Sequence, residues 1–190
     1  MLTILGMVFF LAQPFWETKP PEKWTNGEIE TMRRDSPWAQ TVAPDPAVIV
    51  YLATAAPVEM AEAELRLRMK KSTSKLAEPD PDYTDYLRDH RESQFVLAIA
   101  YPTLKGLGKA EESQRMEEES VMVIGRKTYH FVGHFPPTPS DPVLRLIFNR
   151  EVKGTDKSVV FRLYLPGLNF PERDVEFRVR DLVFQGKLEM

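Results

Sequence analysis

Asp174-Val-Glu-Phe-Arg-Val-Arg180 alternates apolar and charged residues without a break. Successive side chains of a β-strand point to opposite faces, so Val175, Phe177 and Val179 should meet a core while Glu176, Arg178 and Arg180 meet water. One wet face marks an antiparallel sheet, because parallel sheets are covered on both sides. Working backwards from there, residues 144–150 and 159–165 read as two more strands, and Lys153-Gly-Thr-Asp-Lys157 between them has the composition of a hairpin loop. The seven residues 136–142 include four prolines and break the chain. Before them, residues 121–124 and 127–135 flank Gly125-Arg126, which suits a tight hairpin turn. The C-terminal half is therefore expected to be an antiparallel meander.

The N-terminal half reads differently. Residues 47–54 and 95–101 are apolar on both faces, which suits interior strands. Pro57 opens a helix that should run to Lys71. Its apolar positions are Val58, Ala61, Leu65 and Met69, and Glu62–Arg66 and Glu64–Arg68 pair one turn apart. Near the start, Thr25 and Glu28 form a capping box, with Trp24 and Ile29 placed as its hydrophobic staple. That helix should end at Asp35-Ser36, before Pro37. A short helix over 82–90, a loop over 104–108 and a surface helix over 109–118 complete the reading. The expected fold is α+β: a mostly antiparallel sheet of six or seven strands with three or four helices, in one domain over residues 24–190.

Composition limits the function. A chain of 190 residues suits one domain, and a net charge of −3 with scattered basic residues argues against nucleic acid as a partner. The absence of cysteine excludes disulfides, thiolate metal sites, a thiol nucleophile and a lipid-modified N-terminal cysteine. Residues 1–12 are apolar, long enough for a secretory leader and too short to span a bilayer as an ordinary helix. No Lys or Arg precedes that run, and Ala12 is the only good residue for a cleavage site. The other reading of it is a strand or helix packed on the domain. Residues 13–23 read as a polar, proline-containing linker.

Each candidate for chemistry has a plainer counterpart. His130 and His134 would face one metal on a helix, but residues 129–135 alternate like a strand, along which four residues span about 13 Å. Both histidines are then expected to point outward, with Phe131, Gly133 and Phe135 inward. Asp80, Asp82, Asp85 and Asp89 lack the glycine and closing glutamate of a calcium loop and read as a helix start. Ser72 and Ser74 have no nearby base, and Gly106-Leu-Gly108 is too short to cradle phosphate. Glu59, Glu62, Asp82 and Asp85 are the carboxylates that a hydrolase could bring together in space. The run Glu117-Glu118-Glu119 reads as a solvated helix end, and Trp24 and Trp38 as packing anchors before a ligand platform. No metal or cofactor is expected from these patterns.

Three stretches carry a resemblance: the Trp24-Thr25 helix through Ser36-Pro37-Trp38-Ala39, the Ala55-Ala56-Pro57-Val58 helix start, and Asp181-Leu-Val-Phe-Gln-Gly-Lys-Leu-Glu189. In these the chain resembles a family of uncharacterised exported proteins found in Acidobacteria and similar soil bacteria. The resemblance covers most of the chain after the leader and rests on packing and turn residues. It implies export and a coherent fold, and transfers no catalytic residue. The function expected is an exported, non-catalytic binding or structural module of the bacterial envelope; the alternative is an exported hydrolase using carboxylates in a cleft. The expected location is periplasmic or extracellular, or tethered to the inner membrane by an uncleaved leader, with an envelope protein as a partner and membrane contact only through the leader.

Overall fold

The computed structural model of the chain describes residues 13–43, 45–71, 81–101 and 109–190. The apolar run beginning at Phe95 becomes β3 (Gln94–Ala100), and that at Val48 becomes β2 (Val48–Leu52). Both are interior strands of a five-stranded antiparallel sheet, whose order is β1 (Ala39–Val42), β2, β3, β7 (Val143–Asn149), β6 (Gly133–Phe135). The register sets Phe95 beside Phe148, Leu97 beside Leu146 and Leu52, and Ile99 beside Leu144 and Val50. One face is thus continuously apolar. The other carries Tyr51, Val96, Ala98, Arg145 and Ile147.

The strictly alternating segment forms β9 (Glu172–Arg178), at the edge of a four-stranded antiparallel sheet ordered β5 (Lys127–His130), β4 (Val121–Ile124), β8 (Ser158–Tyr164), β9. Val175 and Phe177 are buried, while Asp174, Glu176 and Arg178 are exposed, as the alternation requires. The two sheets meet through phenylalanines. Phe161 lies edge-on to Phe148 at 5.4 Å, to Phe177 at 6.0 Å and to Phe95 at 6.1 Å. Such contacts add to the burial that holds two sheets face to face.

Helices α2 (Asn26–Arg34), α3 (Ala56–Lys71) and α4 (Pro81–His90) cover the opposite face of the five-stranded sheet. The capping box of α2 is formed: Thr25 Oγ1 accepts from the Glu28 amide at 3.1 Å, and Glu28 Oε2 accepts from the Thr25 amide at 2.7 Å. Ile29 and Met32 are buried beneath it. Along α3, Pro57, Val58 and Ala61 are buried and the C-terminal turns are more exposed. Helix α5 (Ala110–Glu119) buries Met116 and sets Arg115 4.1 Å over the Tyr164 ring of β8. No described helix is long and apolar enough to cross a membrane.

The antiparallel α+β class and the β-rich C-terminal half are as the sequence predicts. Among the described residues there are eleven strands and five helices. The excess over the expected numbers comes from pieces too short to show a period, such as β6 and the hairpin β10 (Val183–Phe184) and β11 (Lys187–Leu188). That hairpin turns through Gln185 and Gly186, both at positive φ, as a two-residue turn requires.

Two expectations are corrected. Residues 144–150 and 159–165 do not form a hairpin: β7 belongs to the five-stranded sheet and β8 to the other, so the Lys153–Asp156 turn lies in a connection between layers. Residues 127–135 are not one strand either. The chain leaves β5 at His130 and joins the other sheet at Gly133, so Phe131 and Val132 form the corner.

Residues 13–23 pack on the domain. They hold α1 (Phe15–Thr18), whose Trp16 ring is edge-on to Trp38 at 6.0 Å and whose Phe15 ring is edge-on to Trp24 at 5.3 Å. Trp38 and Trp24 are buried anchors. Trp38 Nε1 donates to the Glu189 carbonyl at 3.0 Å, and Glu189 Oε2 accepts from the Ala56 amide at 3.2 Å. Residues 24–39, 55–58 and 181–189 therefore meet in one place. Residues 1–12 lie outside the described residues.

Candidate functional site

A polar cleft opens where α3 and α4 separate over the sheet. Glu59, Glu62 and Arg66 recur at three- and four-residue intervals and so lie on one stripe of α3. They form one wall, and α4 with the turn after it supplies Thr84, Leu87, Asp89, Arg91 and Glu92 to the other. Tyr51 of β2, Arg145 of β7 and Tyr83 of α4 make the floor. The volume is about 430 Å3. A second cavity of about 250 Å3 adjoins it, sharing Tyr51, Glu62, Arg66 and Arg145 and adding Arg33, Tyr101 and Asp141. Ligand sites are commonly concavities of this size with a few convergent polar groups.

Arg145 is a charge on an otherwise apolar interior strand, and only 8% of it is exposed. Its Nη1 lies 2.8 Å from Asp141 Oδ2, and its guanidinium sits 4.4 Å over the Tyr83 ring. Burial disfavours its charge, but Asp141 and the facing tyrosines outweigh that and raise its pKa. The proline-rich segment has a local task here: Thr138 and Asp141 exchange backbone hydrogen bonds in a turn that presents Asp141 to Arg145.

Tyr51 is 6% exposed, and burial, with the nearby Glu62 carboxylate, pushes its pKa well above the ordinary value. Burial does the same for Tyr83. Both phenols keep their protons at physiological pH and serve as hydrogen-bonding groups, not as bases.

The carboxylates of the α3 wall differ from each other. Glu59 accepts from Arg91 Nη2, an ion pair that clamps α3 to the turn after α4. Burial nevertheless raises the Glu59 pKa from its ordinary 4.5, against the pull of Arg91 and with help from Glu189 and Glu62. Glu62 has Arg66 Nη2 as its near cation at 3.9 Å, too far for a hydrogen bond. Both groups keep hydrogen-bonding capacity for a third party. Across the two cavities the acids Glu59, Glu62, Asp89, Glu92 and Asp141 balance the arginines 33, 66, 88, 91 and 145, five against five. The cleft is polar without being strongly of one sign.

Of the carboxylates singled out in the sequence, Glu59 and Glu62 come together in this cleft, one turn apart on the same wall. Asp82 and Asp85 lie on the exposed side of α4, and Asp85 is bound to Arg88 at 3.1 Å. Asp89 reaches the rim, where Arg88 is 3.6 Å away. Asp80, Ser72, Ser74, Gly106 and Gly108 lie outside the described residues.

His130 is exposed on β5, as expected, but His134 is not turned outward. The change of sheet at 131–132 tucks it half-buried beside Phe131, lining a separate cavity of about 250 Å3 with Tyr101, Met116 and Leu144. Among the described residues no group of three or more His, Asp or Glu side chains is placed to hold a metal ion. Glu117, Glu118 and Glu119 sit at the exposed end of α5, where Glu119 pairs with Arg115 at 2.8 Å.

Sequence reasoning missed Tyr51, Tyr83, Arg91 and Arg145. The sign of Arg145 was present: one arginine inside Val143-Leu-Arg-Leu-Ile-Phe148, where an interior strand otherwise admits no charge. Comparison with protein-family models, with curated proteins and with solved structures finds no match to this chain.

Proposed function

We propose that this is an exported, non-catalytic binding module of the bacterial envelope, and that the cleft between α3 and α4 holds its ligand. The observation that carries the reading is the convergence of Tyr51, Glu62, Arg66 and Arg145 on the wall common to two adjoining cavities. Two of the four are nearly buried, which a merely solvated surface does not require. Two other acids near them are held in ion pairs, Glu59 by Arg91 and Asp141 by Arg145. Export rests on the apolar residues 1–12 and on the resemblance to exported acidobacterial proteins.

The test is recovery of the protein from fractionated native cells, followed by mass spectrometry under conditions that keep small ligands bound. The expected result is a periplasmic protein with a non-covalent small molecule that Arg66→Ala no longer retains. A cytoplasmic protein with residues 1–12 intact would remove the export half. A ligand retained equally by Arg66→Ala would remove the cleft.

A second reading is a hydrolase, favoured by the raised pKa of Glu59, the property wanted in a general acid. Its mark would be a turnover that Glu59→Gln abolishes while ligand binding persists.

A further inference from the structure

We propose that the ligand of the cleft is a free α-amino acid, its carboxylate held by Arg66 and Tyr51 and its ammonium by Glu62. This rests on the cleft being a binding site, and it follows from which polar groups there lack partners. Arg66 makes no hydrogen bond to Glu62, which lies 3.9 Å away. Arg33 lines the adjoining cavity, and its Nε is buried without a hydrogen-bond partner among the described residues. Tyr51 is protonated, more than nine-tenths buried, and borders both cavities. Arg66 and Tyr51 thus bring donors to the wall that the two cavities share. A guanidinium fork assisted by a phenol is matched by a planar carboxylate, which takes two parallel hydrogen bonds.

One acceptor stands beside those donors. Glu62 lies one helical turn before Arg66, so the two side chains are neighbours on α3, with Cβ atoms about 5–6 Å apart. A ligand meeting both must carry its negative and donor groups close together, as an α-amino acid does. The same pair of residues rejects half-molecules. A carboxylate alone leaves the Glu62 charge facing an anion, and an amine alone meets Arg66; either mismatch sets like charges side by side in the cleft. The ligand side chain would then extend into the larger cavity, past the Tyr83 ring and Leu87. Glu59, ion-paired with Arg91, and Arg145, ion-paired with Asp141, shape the site beside the ligand.

Calorimetric titration of the full chain with the proteinogenic L-amino acids tests this. Each amino acid that binds is compared with its deaminated acid, its decarboxylated amine and its α-hydroxy analogue; for L-phenylalanine these are hydrocinnamate, phenethylamine and phenyllactate. The expected result is saturable binding of at least one amino acid, roughly tenfold or more tighter than each of its three analogues. Glu62→Gln should erase the preference over the deaminated acid. Arg66→Ala should weaken the amino acid roughly tenfold or more. Circular dichroism and thermal melting check that both variants keep the fold. Binding no tighter than that of the deaminated acid or the α-hydroxy analogue would overturn the proposal, as would the absence of binding by every amino acid. In that last case a sugar acid such as galacturonate separates the two readings. If it binds and Arg66→Ala abolishes its binding, the cleft stands and the amino acid falls; if nothing binds, both fall.

Discussion

Glu59 and Thr25 show how single side chains in this protein divide between stability and function. Thr25 closes a capping box on the surface, so Thr25→Ala should lower the unfolding free energy by about 1 kcal/mol in urea titrations, with little change in the slope. Glu59 works in the opposite direction. Its pKa in the folded protein is raised above 4.5, so the folded state binds the proton more tightly than the unfolded chain does. As pH rises from the ordinary carboxylate range through that raised value, the group therefore withdraws stability. In melting curves from pH 4 upward, the stability of the native protein relative to Glu59→Gln should fall as pH rises. A profile with the same slope in both would show that Glu59 titrates as it does in the unfolded chain. At this scale the sequence was partly legible. The cap could be read from Thr25 and Glu28 because its partners are three residues apart. Tyr51 could not, because an aromatic in an apolar run reads as core, and only the arrival of Glu62 and Arg145 from distant segments gives its hydroxyl a role.

The elements follow the local pattern closely, and their assembly does not. The alternation of β9 and the doubly apolar β2 and β3 are set by burial on one face or two, which a period of two records directly. Which strand pairs with which depends on where each connection goes. Residues 153–157 have hairpin composition yet join two different sheets, and a corner at 131–132 divides a run that looks like one strand. The interface between sheets is where large energies lie. Phe161→Ala removes a fully buried ring that touches three others, and should cost about 3–5 kcal/mol by chemical denaturation. Asp174→Asn, on the wet face of β9, should stay within about 0.5 kcal/mol. If Phe161→Ala cost as little as Asp174→Asn, the two sheets would not share one core.

Over the whole molecule, contacts between distant parts of the chain decide both the body and the site. Trp38 binds the Glu189 carbonyl and receives the edge of Trp16, so residues 13–23 act as part of the fold. Trp16→Ala should accordingly lower stability by about 1–3 kcal/mol, whereas a segment acting only as a linker would leave it unchanged. The cleft draws Arg33 from α2, Tyr51 from β2, Glu62 and Arg66 from α3, Tyr83 from α4 and Arg145 from β7. No short window of sequence contains such a site, which is why only three of its carboxylates, Glu59, Glu62 and Asp89, could be put forward beforehand. That the cleft is where this protein meets its ligand is tested most directly by nuclear magnetic resonance of the arginine Nε–Hε groups, assigned by substitution. Adding a low-molecular-weight extract of the native cell envelope should shift the signals of Arg33, Arg66 and Arg145 together and leave those of Arg126 and Arg180 in place. Shifts confined to arginines outside the cleft, or a spectrum that the extract leaves unchanged, would contradict it.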